Sequence, residues 1–211
     1  MKLYQYPFSP ACQKVVAVAH EVGVPLELVS VELFKGEART PAMLAKNPNG
    51  KLPILEDGDF VLWESTAMLA YIATKAGRAD LAPTTPRERA EVDRWTLWEG
   101  AHFGPAIRKV AFERVVKKLA GLGAPDEAAV KTGIEEFAVR ASVLERGLGT
   151  KEFVCGRLTI ADFALAPYAA LTASCGLDFE PYPKAKAWLG RMTARDSMKK
   201  TLAAASRHSE A

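Results

Sequence analysis

Cysteine is scarce in this sequence, long apolar runs are missing, and charge of neither sign is concentrated anywhere. Each shortage excludes something. The three cysteines, Cys12, Cys155 and Cys175, are odd in number and far apart, which suits a reducing cytoplasm and argues against a disulfide framework. No stretch approaches the about 20 apolar residues of a membrane span, and the opening MKLYQYPFSP has neither an apolar signal core nor a cleavage-like site. Membrane insertion and export are therefore not expected. The formal charge of +3 is dispersed, its longest basic clusters being pairs such as Lys117-Lys118 and Lys199-Lys200 beside acidic residues. Such pairs are solvated helix faces, so nucleic acid is not an expected partner.

What is present is an ordinary globular composition, 49% apolar and 25% charged over 211 residues, long enough for one large core or two small ones. Residues 2–6 read as a strand, and Ser9-Pro10 then opens a helix with Val15, Val16, Val18, Ala19 and Val22 on its buried side and Gly23 at its end. Leu26, Leu28, Val31 and Leu33 form a second strand, whose parallel pairing with the first needs that intervening helix. A short helix near 41–46 and the turn Asn47-Pro48-Asn49-Gly50 precede strands at 51–56 and 60–63, joined through Asp57-Gly58 as a tight hairpin. Ser65 can cap a last helix carrying Met68, Leu69, Tyr71 and Ile72. The order β-α-β-α-β-β-α over residues 1–76 is an α/β, thioredoxin-like arrangement.

Residues 77–86, with Gly77, Asp80, Pro83 and two threonines, read as a linker, and 87–211 as an all-helical domain. Thr85-Pro86-Arg87-Glu88 has the form of a capping box with proline at the first helical position, opening a helix to about residue 119. Further helices are expected over 126–148, 160–175 and 183–194, and Pro167 is expected to kink or split the 160–175 segment.

The segment Phe8-Ser9-Pro10-Ala11-Cys12 puts a hydroxyl at a strand-to-helix turn, where free amides and the helix dipole favour an anion. A redox thioredoxin fold places a nucleophilic cysteine there, whereas here C-x-x-C has become S-x-x-C. Serine needs an adjacent base to attack, and the histidines, His20, His102 and His208, are not near it in sequence. Donation is the better role. A hydroxyl that hydrogen-bonds a bound thiolate supplies about 1.5–3 kcal/mol, enough to lower a thiol near 8.5 by about one to two pKa units. On its own, however, Ser followed by Pro is equally a plain N-cap.

Residues Asn47 to Gly58 (NPNGKLPILEDG), then Glu64-Ser65-Thr66-Ala67-Met68, resemble the glutathione-binding signature of the soluble glutathione transferases. With Ser-x-x-Cys before it the match is specific, and it extends over nearly the whole chain. Leu158-Thr159-Ile160-Ala161-Asp162-Phe163 is similar to the capping box and hydrophobic staple of that family, and Arg191 to Leu202 to its closing helix. The serine-using theta-like and plant phi-like branches look nearest, the latter through Val31-Glu32-Leu33 and Gly36-Glu37. Aligned on Pro7, the tyrosine of the alpha, mu and pi branches falls at Gln5, and the cysteine of omega and beta relatives falls near Ser9.

The resemblance implies a glutathione site made of Ser9 with Arg39, Lys51, Leu52, Pro53, Glu64 and Ser65. Glu64 would pair with the γ-glutamyl amine, and Ser65 with the adjacent carboxylate. The Leu52 backbone would pair with the cysteinyl part across a cis Leu52-Pro53 bond, and Arg39 and Lys51 would meet the glycyl carboxylate. The position before Arg39, often histidine in relatives, is Ala38. An electrophile pocket is expected from Phe8, Phe34, His102, Phe103 and Phe112. Trp95 and Trp98 are expected in the core, as are Cys12, Cys155 and Cys175; Thr159 and Asp162 are expected to start a core helix. The implied activity is conjugation of glutathione to hydrophobic electrophiles or reduction of hydroperoxides, without a metal, in a cytoplasmic homodimer concerned with detoxification. The alternatives are a thiol-disulfide oxidoreductase working through Cys12 and a non-catalytic carrier of glutathione or apolar ligands.

Overall fold

A computed structural model gives the fold of residues 1–208; residues 209–211, the end of the expected 87–211 domain, lie outside the described residues. The chain divides into two compact units, residues 1–82 with the chain from 195 onward, and residues 83–194.

In the first unit, β1 (Lys2–Gln5), α1 (Pro10–Val22) and β2 (Glu27–Ser30) form the expected parallel β-α-β crossover. Two single 3-10 turns and α2 (Pro41–Lys46) lead to β3 (Ile54–Asp57) and β4 (Phe60–Leu62), and α3 (Ser65–Lys75) follows. The sheet order is β2-β1-β3-β4, with β3 antiparallel to both of its neighbours. β2 is an edge strand and is shorter than its apolar residues suggest: Leu28 is exposed and Leu33 belongs to a 3-10 turn. The hairpin pairs Asp57 with Phe60, so the loop residues are Gly58 and Asp59, not Asp57 and Gly58. Gly58, at φ +65°, holds the first central position, where a type II′ turn requires glycine.

The stretch from 77 to 82 is not a free linker. Leu81 and Ala82 are buried, and Arg78 ties the segment to Asp80 and to the Glu21 carbonyl. The closing helix α10 (Asp196–His208) also belongs to the first unit, although the sequence assigns it to the helical domain. Polar contacts with α1 draw it there: Ser197 Oγ donates to Glu21 Oε2 at 2.6 Å, Arg195 donates to both Glu21 oxygens, and His20 Nδ1 lies 3.1 Å from Thr201 Oγ1.

The second unit is helical, with α4 (Pro86–Trp98), α5 (Gly104–Ala111), α6 (Lys117–Ala120), α7 (Glu127–Leu148), α8 (Ile160–Cys175) and α9 (Pro183–Thr193). From Pro86 to Ala120 the chain is one continuous helix interrupted by two π turns, Glu99–Phe103 and Phe112–Val116. Pro105 accounts for the first, since its ring has no N–H and would collide with the carbonyl one α-turn back, which a wider turn relieves. No proline marks the second. Thr85 does not form the expected capping box, because its hydroxyl donates to the Glu88 side chain at 2.6 Å and caps no amide. The box at Thr159 and Asp162 does form. Asp162, fully buried, accepts from the Thr159 and Val154 amides and from Trp188 Nε1, each at 3.0 Å. Helix α8 runs unbroken through Pro167, because burial of its Ala-rich faces outweighs one lost backbone bond. The closing segment that begins at Arg191 is broken, with α9 ending at Thr193 before α10 starts.

Candidate active site

Ser9 stands in the N-cap position of α1, with extended backbone angles and Pro10 at the first helical position. Its carbonyl accepts from the amides of Cys12 and Gln13, both at 2.9 Å, and its own amide donates to the Tyr6 carbonyl at 2.9 Å. The hydroxyl, however, caps no backbone amide. Gln13 Nε2 donates to the Pro7 carbonyl at 2.9 Å and the Tyr6 amide to Cys12 Sγ at 3.4 Å, so the loop carrying the hydroxyl is pinned from the helix behind it.

Cys12 is fully buried. Burial pushes its thiol up to about 11, against hydrogen bonds from the Tyr6 amide and the Ser9 side chain and the charge of Lys14, which pull it down. A thiol that is protonated and shielded at neutral pH is a poor nucleophile. Cys175 is buried as expected, whereas Cys155 is only half-buried.

The second strip of the site is the turn at residues 47–53. Asn47 is 3% exposed; its side-chain amide donates to the Lys51 carbonyl at 2.7 Å, and its Oδ1 accepts from the Asn49 amide at 3.0 Å. Gly50 has φ +60°, and a Cβ there would lie 3.1 Å from Arg39 Cγ. Arg39, exposed at the end of the 3-10 turn Glu37–Arg39, thus lies against Gly50, next to the exposed Lys51. Leu52 packs on the small core of Val31, Ala38, Met43 and Ile54, and the Leu52-Pro53 bond is cis, as the sequence resemblance implies.

The third strip is the start of α3. Glu64, not Ser65, is its N-cap; at φ 72° it is the single non-glycine residue with positive φ among the described residues. Such a conformation costs on the order of 1–3 kcal/mol and marks functional positions more often than others. The Glu64 carboxylate is exposed and makes no cap to its own helix, and the first turn carries no acidic side chain. The amides of Ser65 and its neighbours therefore present the positive end of an eleven-residue helix.

The aromatic residues divide. In the first unit the Tyr6 ring lies 5.6 Å from Phe8 and 5.7 Å, edge-on, from Phe34, so three rings form one cluster at the loop that carries Ser9. Burial and the charge of Glu32 push the Tyr6 phenol up, which keeps it protonated. In the second unit His102 and Phe112 are exposed, each within a π turn. Phe103 is not a pocket residue: it is fully buried, stacked on Trp98 at 5.3 Å, and fills the core of its unit.

Sequence reasoning missed Asn47, Gln13 and Lys14 as supports of the site. Asn47 was readable, since Asn before a Pro-Asn-Gly run forms Asx-type turn bonds. A lysine directly before the apolar run Val15-Val16-Ala17-Val18 was the signal for Lys14. Among the described residues no group of three or more His, Cys, Asp or Glu side chains could hold a metal ion, and no helix is long and apolar enough to cross a membrane.

Comparison with known proteins matches this layout. The N-terminal domain of the glutathione S-transferases matches residues 3–82, and their C-terminal domain matches residues 102–196. Glutathione S-transferase 3 of Zea mays is 37% identical, covering 97% of this chain and 94% of its own. The crystal structure of glutathione transferase F7 from Populus trichocarpa is 33% identical with a TM-score of 0.85, covering 95% of this chain and 96% of its own. That of the transferase URE2P6 from Phanerochaete chrysosporium, in complex with oxidized glutathione, is 27% identical with a TM-score of 0.88, covering 98% and 96%. With a matched domain at each end and relatives of the plant phi class along nearly all its length, the chain belongs to the soluble glutathione S-transferases and is an enzyme of that family.

Proposed function

We propose that this transferase activates glutathione through the Ser9 hydroxyl. The observation that carries the proposal is that Ser9 occupies an N-cap position and yet spends its hydroxyl on no backbone amide. The hydroxyl, whose partner in this structure is the Cys12 thiol, stands at the positive end of α1 next to an aromatic cluster, where turning to a bound thiolate gains both a charge-assisted hydrogen bond and the helix field. The tripeptide is assigned to the three strips already described, its glycyl carboxylate toward Arg39 and Lys51 and its cysteinyl backbone against Leu52 and Pro53. Its γ-glutamyl amine goes to Glu64 and the neighbouring carboxylate to Ser65. In this reading residues 1–76 bind glutathione, with Phe8 and Phe34 as apolar residues near Ser9, and His102 and Phe112 of the helical unit are assigned to the electrophile.

The thiolate then attacks an electrophilic carbon. A carbon–sulfur bond forms as a leaving group departs with its electron pair, or as the adduct takes up a proton. With a hydroperoxide the thiolate attacks the terminal oxygen instead, the O–O bond breaks and the alkoxide leaves as alcohol after taking up a proton; a second glutathione then attacks the resulting sulfenic acid, forming the disulfide and releasing water. The protein supplies a preformed thiolate site and proximity. Buried, protonated Cys12 speaks against the oxidoreductase alternative. We assign the protein to cytoplasmic detoxification as a homodimer. The test is a panel of haloarenes, isothiocyanates and organic hydroperoxides with glutathione: turnover of at least one class is expected, and glutathione binding without turnover of any would favour a carrier.

A further inference from the structure

Gln13, the fourth residue of α1 and only 9% exposed, holds the turn that carries Ser9 in two places. Its main-chain amide donates to the Ser9 carbonyl and its side-chain Nε2 to the Pro7 carbonyl, both at 2.9 Å. Between those carbonyls the Ser9 amide donates to the Tyr6 carbonyl at 2.9 Å, closing a β-turn over Tyr6-Pro7-Phe8-Ser9. Proline is favoured at the second place of such a turn, and Phe8 at the third does not have a positive φ, so the turn is of type I and not type II. The turn's own residues thus set its shape, but they do not set how that shape sits on the helix. A turn joined to α1 at the Ser9 carbonyl can hinge there, and the second hold at Pro7 opposes the hinge. The Tyr6 amide also ties the turn to Cys12 Sγ, at 3.4 Å, but sulfur is a weak acceptor.

The hinge matters for the Ser9 hydroxyl. Its partner here is the Cys12 thiol, so to serve a bound thiolate it must swing about one side-chain bond. The arc it sweeps is set by where the Ser9 backbone stands. A hydrogen bond weakens steeply with misalignment, and a donor aimed at a reacting group has to be held to within about 0.5 Å.

We propose that Gln13 is a positioning residue for sulfur activation: by holding the Pro7 carbonyl it sets the place from which the Ser9 hydroxyl meets the thiolate of glutathione. The inference rests on the reading of Ser9 as that donor. Gln13 acts through Ser9 and takes no part in the reaction itself.

The test follows the ultraviolet absorbance of enzyme-bound thiolate against pH in the wild type, Gln13→Met, Ser9→Ala and the double variant, with glutathione affinity measured by calorimetry. Gln13→Met keeps the length of the side chain and removes its donor. It is expected to raise the bound thiol's pKa by about half to one unit and to lower kcat for conjugation at neutral pH about twofold to tenfold, with recovery as pH rises. Glutathione affinity is expected to stay within about twofold, since no contact to the tripeptide is removed. In the Ser9→Ala background the same change is expected to move the pKa by less than about 0.2 unit, because no hydroxyl remains to be positioned. A merely structural Gln13 would lower the melting temperature and leave the bound thiol's pKa where it was. No shift in Gln13→Met, or an equal shift with and without the hydroxyl, overturns the inference. Should Gln13→Met not fold, Gln13→Glu carries the test. Its charge raises the thiol's pKa in both backgrounds, and an excess of about half a unit is expected where Ser9 is retained; equal shifts overturn the inference there too. An unshifted titration in Ser9→Ala overturns the underlying reading as well, whereas a shift in Ser9→Ala with none in Gln13→Met overturns the inference alone.

Discussion

The side-chain amide of Asn47 donates to the carbonyl of Lys51 at 2.7 Å, closing the turn from inside the protein. One buried side chain thus sets where Lys51 and Leu52 begin. Asn47→Ala leaves the Lys51 carbonyl and the Asn49 amide without their partner, so a stability loss of about 1–3 kcal/mol is expected by urea denaturation. Glutathione affinity should fall with it, although Asn47 is not assigned to the ligand. Asn47→Asp keeps the acceptor for the Asn49 amide and loses the donor, and should be intermediate.

Glu64 separates binding from stability. Glu64→Ala is expected to weaken glutathione about tenfold or more, since a charge-assisted contact of about 1.5–3 kcal/mol is lost. Glu64→Gly loses the same contact but adopts φ 72° without strain, so it should also raise the melting temperature. Calorimetry and thermal unfolding on the two variants check both parts, and unchanged affinity would remove Glu64 from the site.

Cys12 is expected to be inert. With its thiol pushed up to about 11 and its side chain fully buried, native protein at neutral pH should leave it unalkylated by iodoacetamide. Mass mapping before and after unfolding checks this. Cys12→Ala should retain conjugating activity, whereas the oxidoreductase alternative requires its loss.

Glu21 gives acid sensitivity to the closing helix. Burial raises its carboxyl, but hydrogen bonds from Arg195 and Ser197 and the charges of Arg195 and Arg78 outweigh this and hold it below its usual 4.5. A carboxylate lower in the folded than in the unfolded chain stabilises the fold above 4.5, and that contribution is lost as pH falls through the folded value. Glu21→Gln should therefore be less stable than the wild type at neutral pH, with the gap narrowing below 4.5, as urea denaturation at several pH values will show.

The elements that sequence rendered legible are those with strong local punctuation. Ser9-Pro10 and Gly23 bracket α1, and Asn47 to Gly50 place the turn before β3. The glutathione-site assignment rests on the spacing of Ser9, Lys51 and Glu64, a pattern local enough to recognise without coordinates. What escaped depends on contacts between distant segments. Nothing within 196–208 says that α10 belongs with α1; that follows from Glu21 meeting Arg195 and Ser197, more than 170 residues away. Phe103 and Phe112 look alike in sequence, yet the α-helix Gly104–Ala111 between them sets them about two and a half turns apart, on opposite faces, with one buried and the other exposed. Lys14 was hidden because a lysine on a helix is normally read as solvent-facing, and its partner Thr66 lies 52 residues on.

The central claim is that the Ser9 hydroxyl ionises the bound thiol, and the ultraviolet absorbance of enzyme-bound thiolate followed against pH tests it most directly. If the hydroxyl contributes about 1.5–3 kcal/mol to the thiolate, Ser9→Ala should raise the bound thiol's pKa by about one to two units while glutathione affinity stays nearly unchanged. Conjugation at neutral pH should fall about tenfold to a hundredfold in step and recover as pH rises. Superimposable titrations for wild type and Ser9→Ala would contradict the account and assign activation of the sulfur to another donor, with the protonated Tyr6 phenol the first to examine.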